Sequence, residues 1–246
     1  EDAGEFQGNE GGLHVLETGF HHPLSRAFVR AAQETGLPYN PDFNGRIQEG
    51  AGFYQTTTHN GKRWSAAEAF LRPAEGRSNL KILTETRVAR ILFEGTRAVG
   101  VELENGIKYK AAGEVVLCAG AIETPRLLQL SGVGDAGHLK SHGIEVVSDL
   151  PGVGENLQVH LEVYVQQACT QPITLYKHWN LFSKAVIGAQ WLFLKQGLGA
   201  SNPFESCAFI RSRAGVKYPD IQYHFLPFAV RYDGQAAAEG HGFQAH

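Results

Sequence analysis

Glu162 is a carboxylate set in an apolar run, Leu161-Glu162-Val163-Tyr164-Val165. A charge beside a half-buried strand is costly unless it finds a cation or hydrogen-bond donors. Two partners are open to it: an internal arginine, the usual structural answer, or a cationic group on a ligand. Aromatic faces and diffuse negative charge suit such a cation, and the second half of the chain carries Tyr164, Trp179, Trp191, Phe204, Tyr223, Phe225 and Tyr232. Most aromatics in any domain are simply core. His224 is the next candidate, in Ile221-Gln-Tyr-His-Phe-Leu-Pro227. Strand alternation puts Gln222 and His224 on one face and Ile221, Tyr223 and Phe225 on the other. On the residues alone it is either a solvated strand histidine or a hydrogen-bonding or acid/base group.

A third stretch could hold a cofactor. Val115 to Cys118 is a short apolar run ending at Ala119-Gly120, which predicts a buried strand of a parallel sheet. Ala119 and Gly120 would let the backbone pass close to a ligand at the strand's carboxyl end. Thr124-Pro125 predicts a helix start, with Thr as N-cap, and Gly132 and Gly134 predict its end. A helix N-terminus favours a phosphate or another electron-rich group, although strand–glycine–helix also occurs in α/β proteins with no ligand there. His21-His22 and the i,i+4 pair His138 and His142 lack a third ligand, so no metal is expected.

These groups must be placed by the rest of the chain. Pro23 to Gln33 reads as a helix with Leu24, Phe28 and Ala31 on one face and Gly36 as its stop. Ser65 to Leu71 reads as a short helix capped by Ser65. From Leu80 the period changes to alternation, at Ile82-Leu83, Val88 to Phe93, Val99 to Leu103 and Ile107 to Lys110. Glu94-Gly95 and Asn105-Gly106 break it as tight hairpin turns, so this is an antiparallel meander. Asp135 to His142 predicts a short helix and Ile144 to Val147 a returning strand. Beyond His160, Val163 to Val165, Cys207 to Arg211 and Asp220 to Leu226 read as strands and Trp179 to Leu194 as a helix.

Composition narrows the function classes. A net charge of −3 gives no electrostatic case for nucleic acid. The three cysteines lack metal-site spacing and read as reduced, structural thiols. The longest apolar stretches, such as Ala185 to Leu194, are too short and too broken to span a bilayer.

Several blocks together resemble the glucose–methanol–choline (GMC) family of flavoenzymes. Gly120-Ala-x-x-Thr-Pro-x-Leu-Leu-x-x-Ser-Gly-Val-Gly134 is similar to its second signature, and Pro151-Gly-Val-Gly-Glu-Asn-Leu-Gln-Val-His160 to the block that follows. The family usually has Asp where this chain has Val159. Upstream, Asn44-Gly45, Gln48-Glu49-Gly50 and Gly61 to Leu71 also resemble it. Gly199 to Asn202, Phe209 to Ser212 and Ile221 to Pro227 are most similar to its choline-oxidising members.

The resemblance implies an α/β (mixed α+β) fold. An FAD-binding portion with a β-meander and a parallel-sheet strand is interleaved with an antiparallel-sheet substrate-binding domain. Residues 1–62 are expected to form a substrate-side or lid segment, 63–160 part of the FAD-binding domain and 161–246 part of the substrate domain. It implies FAD contacts at Val88, Ala119 and Gly120, with a plain β-branched strand residue as the alternative at Val88. Glu162 would meet the trimethylammonium of choline and His224 would hold the substrate hydroxyl, so choline would become betaine aldehyde, as in glycine betaine synthesis. A quinone is the expected electron acceptor, in a cytoplasmic enzyme that can lie peripherally at a membrane. Alternatives are a dehydrogenase of another alkyl or aryl alcohol, or a non-catalytic binding module. The family's Gly-x-Gly-x-x-Gly and its C-terminal catalytic histidine are expected outside this stretch, which by itself is expected to be inactive.

Overall fold

The computed structural model describes residues 5–17, 20–231 and 239–246. Tyr232 lies outside them. Contacts divide the chain into two compact units: Glu1–Leu80 with Glu162–His246, and Lys81–Leu161. The sequence reading places the first change at 62/63, whereas residues 63–80 group with the first unit.

In the first unit, helix α1 (Pro23–Glu34) and strand β1 (Gly50–Phe53) come early in the chain, after a two-residue strand at Leu16–Glu17. Proline at the first helical position and His22 as cap start α1, with His22 Nδ1 accepting from Leu24 N at 3.2 Å. Ser25 and Val29 are buried on its inner face. Residues Ala67–Leu71 form a π-helical turn rather than an α-helix, with Ser65 Oγ 3.4 Å from Glu68 N.

The second unit carries the meander β2 (Val88–Glu94), β3 (Arg97–Leu103) and β4 (Lys108–Lys110), antiparallel throughout. Gly95 and Gly106 turn it with φ of +59° and +81°. Helix α2 (Gly120–Leu130), strand β5 (Val133–Gly134), helix α3 (Ala136–Ser141) and strand β6 (Ser148–Asp149) complete it. Ile91, Leu103, Val133 and Leu139 are its buried centre. Ser131 Oγ accepts from Ile91 N at 2.8 Å and so ties the end of α2 to β2.

Three local expectations are corrected. Val115–Cys118 forms no strand, and Val116 is 69% exposed. A strand exists only where a neighbour takes its backbone hydrogen bonds, and among the described residues none pairs with this run. The parallel pairing falls instead between β5 and β6, Val133 against Ser148, so the returning strand lies just after Ile144–Val147. Finally, α2 starts at Gly120 with Ala119 in the cap position, and Pro125 lies inside the helix. The positive φ of Gly120, +86°, makes the sharp turn that admits this earlier start.

The chain then returns to the first unit with β7 (Val165–Ala168), α4 (Leu181–Leu194), β8 (Ser206–Ile210), β9 (Ile221–Leu226) and β10 (Gly242–Ala245). One five-stranded antiparallel sheet runs in the order β7-β10-β9-β8-β1. Its register sets Cys207 opposite His224 and Ser206 opposite Phe225. Phe225 is buried and stacks on Phe28 of α1 with ring centroids 4.8 Å apart. That leaves His224 and Gln222 on the other face, as alternation requires.

Candidate active site

In the first unit a cavity of about 530 Å³ is lined by Tyr54, Gln55, Thr56, Thr57, Glu162, Asn202, Phe204, His224 and His246. Both substrate-side residues read from the sequence therefore meet in one place. Sheet register brings them there: β9 carries His224, the lead-in to β7 carries Glu162, and His246 directly follows β10, which lies between them. Backbone hydrogen bonds pair His224 with His246 in both directions, at 2.6 and 3.1 Å. Their rings lie 5.7 Å apart, and the ring of Phe204 is 5.3 Å from that of His246.

Glu162 precedes β7 rather than lying in a strand, and its side chain is 46% exposed. Oε2 accepts from the Tyr164 hydroxyl at 3.0 Å, and Oε1 is 3.6 Å from His246 Nε2. The carboxylate is thus steadied from two sides while half of it faces solvent. Buried Gln244 sets the state of His246. Gln244 Oε1 accepts from Val230 N at 3.1 Å and from Gln166 Nε2 at 2.8 Å. Its amide Nε2 is then turned toward His246 Nδ1, 3.0 Å away, which leaves the N–H on Nε2 facing Glu162.

Behind His224 sits a buried polar group. Tyr54 directly follows β1, and its hydroxyl lies 3.1 Å from His224 Nδ1 and 2.7 Å from Gln222 Nε2. Burial raises the Tyr54 phenol far above its ordinary range and pushes the Cys207 thiol up to about 12. Both therefore stay protonated at working pH. Tyr54 and His246 carry no motif, so sequence reasoning missed them. Only their long-range pairing with β8 and β9 reveals them.

Of the aromatics read from the sequence, Phe204 lines the cavity and Tyr164 holds Glu162. Trp191 donates to Gly61 O at 2.6 Å, and Trp179 packs on Phe228. The cysteines are free: Cys118 exposed, Cys169 intermediate and Cys207 buried.

The second unit holds a cavity of about 460 Å³ between Ala121, Ile122, Pro125, Arg126 and Gln129 of α2 and residues 154–158. The two contiguous blocks of the sequence thus face each other across it, tied by Gln129 Nε2 donating to Val153 O at 3.1 Å. Ala119 and Gly120 lie at the start of α2, just outside the lining. Val88, the first residue of β2, is not in it either. A Cβ built on Gly120 would meet nothing within 4 Å, so this positive-φ position opens to free space beside the helix N-terminus. Such a position fits the close approach of an electron-rich group.

Residues 4–162 match the family model described as GMC oxidoreductase. The chain belongs to the GMC oxidoreductase family. It is 58% identical, over 98% of its length, to an oxygen-dependent choline dehydrogenase of Brucella anthropi, of which it spans 44%. Among solved structures it is similar to pyridoxine 4-oxidase from Mesorbium loti: TM-score 0.76, 28% identity, 97% of this chain and 44% of that one. An FAD-dependent oxidoreductase from Chaetomium thermophilum matches with TM-score 0.75 and 29% identity over 84% of this chain and 38% of that one. The chain spans under half the length of these relatives. The mixed α/β fold is that of GMC flavoproteins, whose cofactor is FAD. No helix among the described residues is long and apolar enough to cross a membrane.

Proposed function

We propose that the whole protein is an FAD-dependent dehydrogenase that oxidises choline to betaine aldehyde. The observation that carries the reading is the meeting of Glu162 and His224 in one cavity. FAD, when bound, accepts the hydride that leaves the alcohol carbon. Ala119, Gly120 and Val88 are proposed to contact it through the backbone, at the start of α2 and of β2. Glu162, held by Tyr164 and His246, binds the quaternary ammonium by charge, and Phe204 offers an aromatic face to it. At the other end of the substrate, His224 holds the oxygen while its proton passes to the family's C-terminal catalytic histidine, which is expected outside this stretch. The product places the protein in a step toward glycine betaine.

The name of the Brucella relative ties electron disposal to oxygen; a quinone is the alternative acceptor, in an enzyme acting from the cytoplasm or at a membrane surface. Purified full-length protein is to be assayed with choline for oxygen uptake and for quinone reduction. Turnover of choline at a rate well above that of its neutral isostere 3,3-dimethylbutanol is expected. A higher rate on an aryl alcohol than on choline would overturn the assignment. The likeness to a pyridoxine oxidase favours that second reading.

A further inference from the structure

We propose that Tyr54 is a positioning residue that fixes the proton of His224 on Nε2, so that this histidine meets the substrate oxygen as a neutral donor. The inference rests on the reading of His224 as the group that holds that oxygen.

A tyrosine hydroxyl has one proton to give and can accept two. The Gln222 amide Nε2 is 2.7 Å from the Tyr54 oxygen and donates into it. The Tyr54 proton then goes to one of its two other neighbours, His224 Nδ1 at 3.1 Å or the Cys207 thiol. An imidazole nitrogen is much the stronger acceptor, and the Cys207 sulfur, which keeps its own proton with a pKa pushed up to about 12, accepts only weakly. Tyr54 therefore donates to Nδ1, and a neutral His224 must carry its hydrogen on Nε2.

Burial reinforces the direction. The phenol is raised far above its ordinary range by desolvation, so it does not ionise and its proton stays available for Nδ1. Protonating Nδ1 would force the Tyr54 hydroxyl to turn away from its best acceptor. Of the neutral tautomers, the one with its proton on Nε2 is therefore the form that Tyr54 favours, set before substrate arrives at the cavity that His224 lines. A donor set in advance costs no reorganisation as negative charge grows on the substrate oxygen. Sheet register makes the arrangement rigid: Tyr54 N donates to Glu205 O at 2.9 Å beside β8, and Cys207 of β8 faces His224 of β9.

Full-length protein with 15N-labelled histidine tests this, with His224→Gln to assign the signal. The wild type is expected to show His224 protonated on Nε2 alone; a proton on Nδ1 would overturn the proposal. In Tyr54→Phe the neutral ring loses its donor, so the pKa of His224 is expected to rise, whereas an unchanged or lower value would also overturn it. His246, Glu162, Cys207 and Tyr54 are the titrating neighbours, and the signal of His224 itself separates it from them. Should Tyr54→Phe fail to fold, Gln222→Met removes the amide donor, and a growing share of Nδ1–H is expected; no change would again reject the relay. Kinetics then separate the two layers. Tyr54→Phe is expected to lower kcat for choline about ten-fold with little change in KM, as for the loss of one hydrogen bond that acts in the transition state. If the spectra behave as expected while neither Tyr54→Phe nor His224→Gln changes turnover, the relay stands and the reading of His224 as substrate-facing falls.

Discussion

The two units present their chemistry in opposite ways. In the first, side chains converge from segments far apart in the chain: Tyr54, Glu162, His224 and His246 meet only because β1, β8, β9, β10 and β7 lie side by side. In the second, the cavity is built from two short blocks, 121–129 and 154–158, and the notable features in and beside it are backbone ones: Gly154 in the lining and Gly120 just outside it at the start of α2, each with φ of +86°. A site made of side chains tests which functional group stands at each position. A site made of backbone tests which residues permit the conformation. Substitutions should therefore act on rate and substrate choice in the first unit, and on folding and cofactor content in the second.

His224→Ala is the strongest test of the first half of that contrast. It is expected to lower kcat/KM for choline by about 10²–10⁴-fold, the usual range for a positioned hydrogen-bonding or acid/base group, with flavin content unchanged. Kinetics within two-fold of wild type would return His224 to an ordinary strand residue. The second half is tested at Gly132, which has φ of +87° and where an added Cβ would lie 2.4 Å from Glu145 O. Gly132→Ala should destabilise the chain by about 1–3 kcal/mol in denaturant titrations, through left-handed strain and backbone overlap. At Gly120 the φ is the same but the space is open, so Gly120→Ala costs only the strain, about 1–2 kcal/mol, and should show its main effect as lost flavin.

The same contrast explains what was legible in the sequence. The meander was readable because each hairpin is local: alternating residues flank Glu94-Gly95 and Asn105-Gly106, and both glycines do take positive φ. The block from Gly120 to Gly134 was readable as a family signature. Its internal boundaries were not, because Thr124-Pro125 looks like a helix start while Gly120 turns the chain five residues earlier. Val115–Cys118 failed as a strand for a different reason. Apolar content says that a run can be extended, whereas only a neighbour decides whether it pairs. Glu162 and His224 were singled out by residue type, alternation and resemblance. Tyr54 and His246 could not be, since a tyrosine after a strand and a histidine after Gly-Phe-Gln-Ala have no local pattern that points to a cavity.

Glu162→Gln sharpens the side-chain half with a smaller effect. A quaternary ammonium about 4–5 Å from the carboxylate gains on the order of 1–4 kcal/mol, depending on the effective dielectric. With the Glu162 side chain 46% exposed, the lower end applies. KM for choline is expected to rise about ten-fold, with kcat less affected because the ammonium is remote from the bond being broken. The neutral 3,3-dimethylbutanol should be a poor substrate of the wild type and nearly indifferent to the change. An equal response of the two alcohols would make Glu162 a structural partner of Tyr164 and His246.

The smallest expected effect concerns Glu205, which lies behind the same sheet and takes no part in the cavity lining. It is buried, with a backbone N–H from His22, the cap of α1, donating to its Oε2 at 2.5 Å. Burial raises its pKa above the ordinary glutamate value of 4.5, against the lowering effect of that hydrogen bond. The unfolded chain therefore releases this proton at lower pH than the folded one. Stability from this group is present below the ordinary glutamate value and is lost as pH rises through the raised one. Glu205→Gln keeps an acceptor for His22 but cannot ionise, so the variant should gain on the wild type as pH is raised from acid to neutral. The gain should stay near the few degrees of Tm that about 1 kcal/mol produces in a chain of this length. Thermal unfolding of both proteins across that range reads the difference directly, with all other titrating groups common to the two. A difference that moves the other way, with the wild type gaining as pH rises, would mean that the carboxylate charge at the start of α1 outweighs its desolvation. Glu205 would then be a case in which a helix N-terminus, rather than the side chains around it, decides what charge the fold accepts.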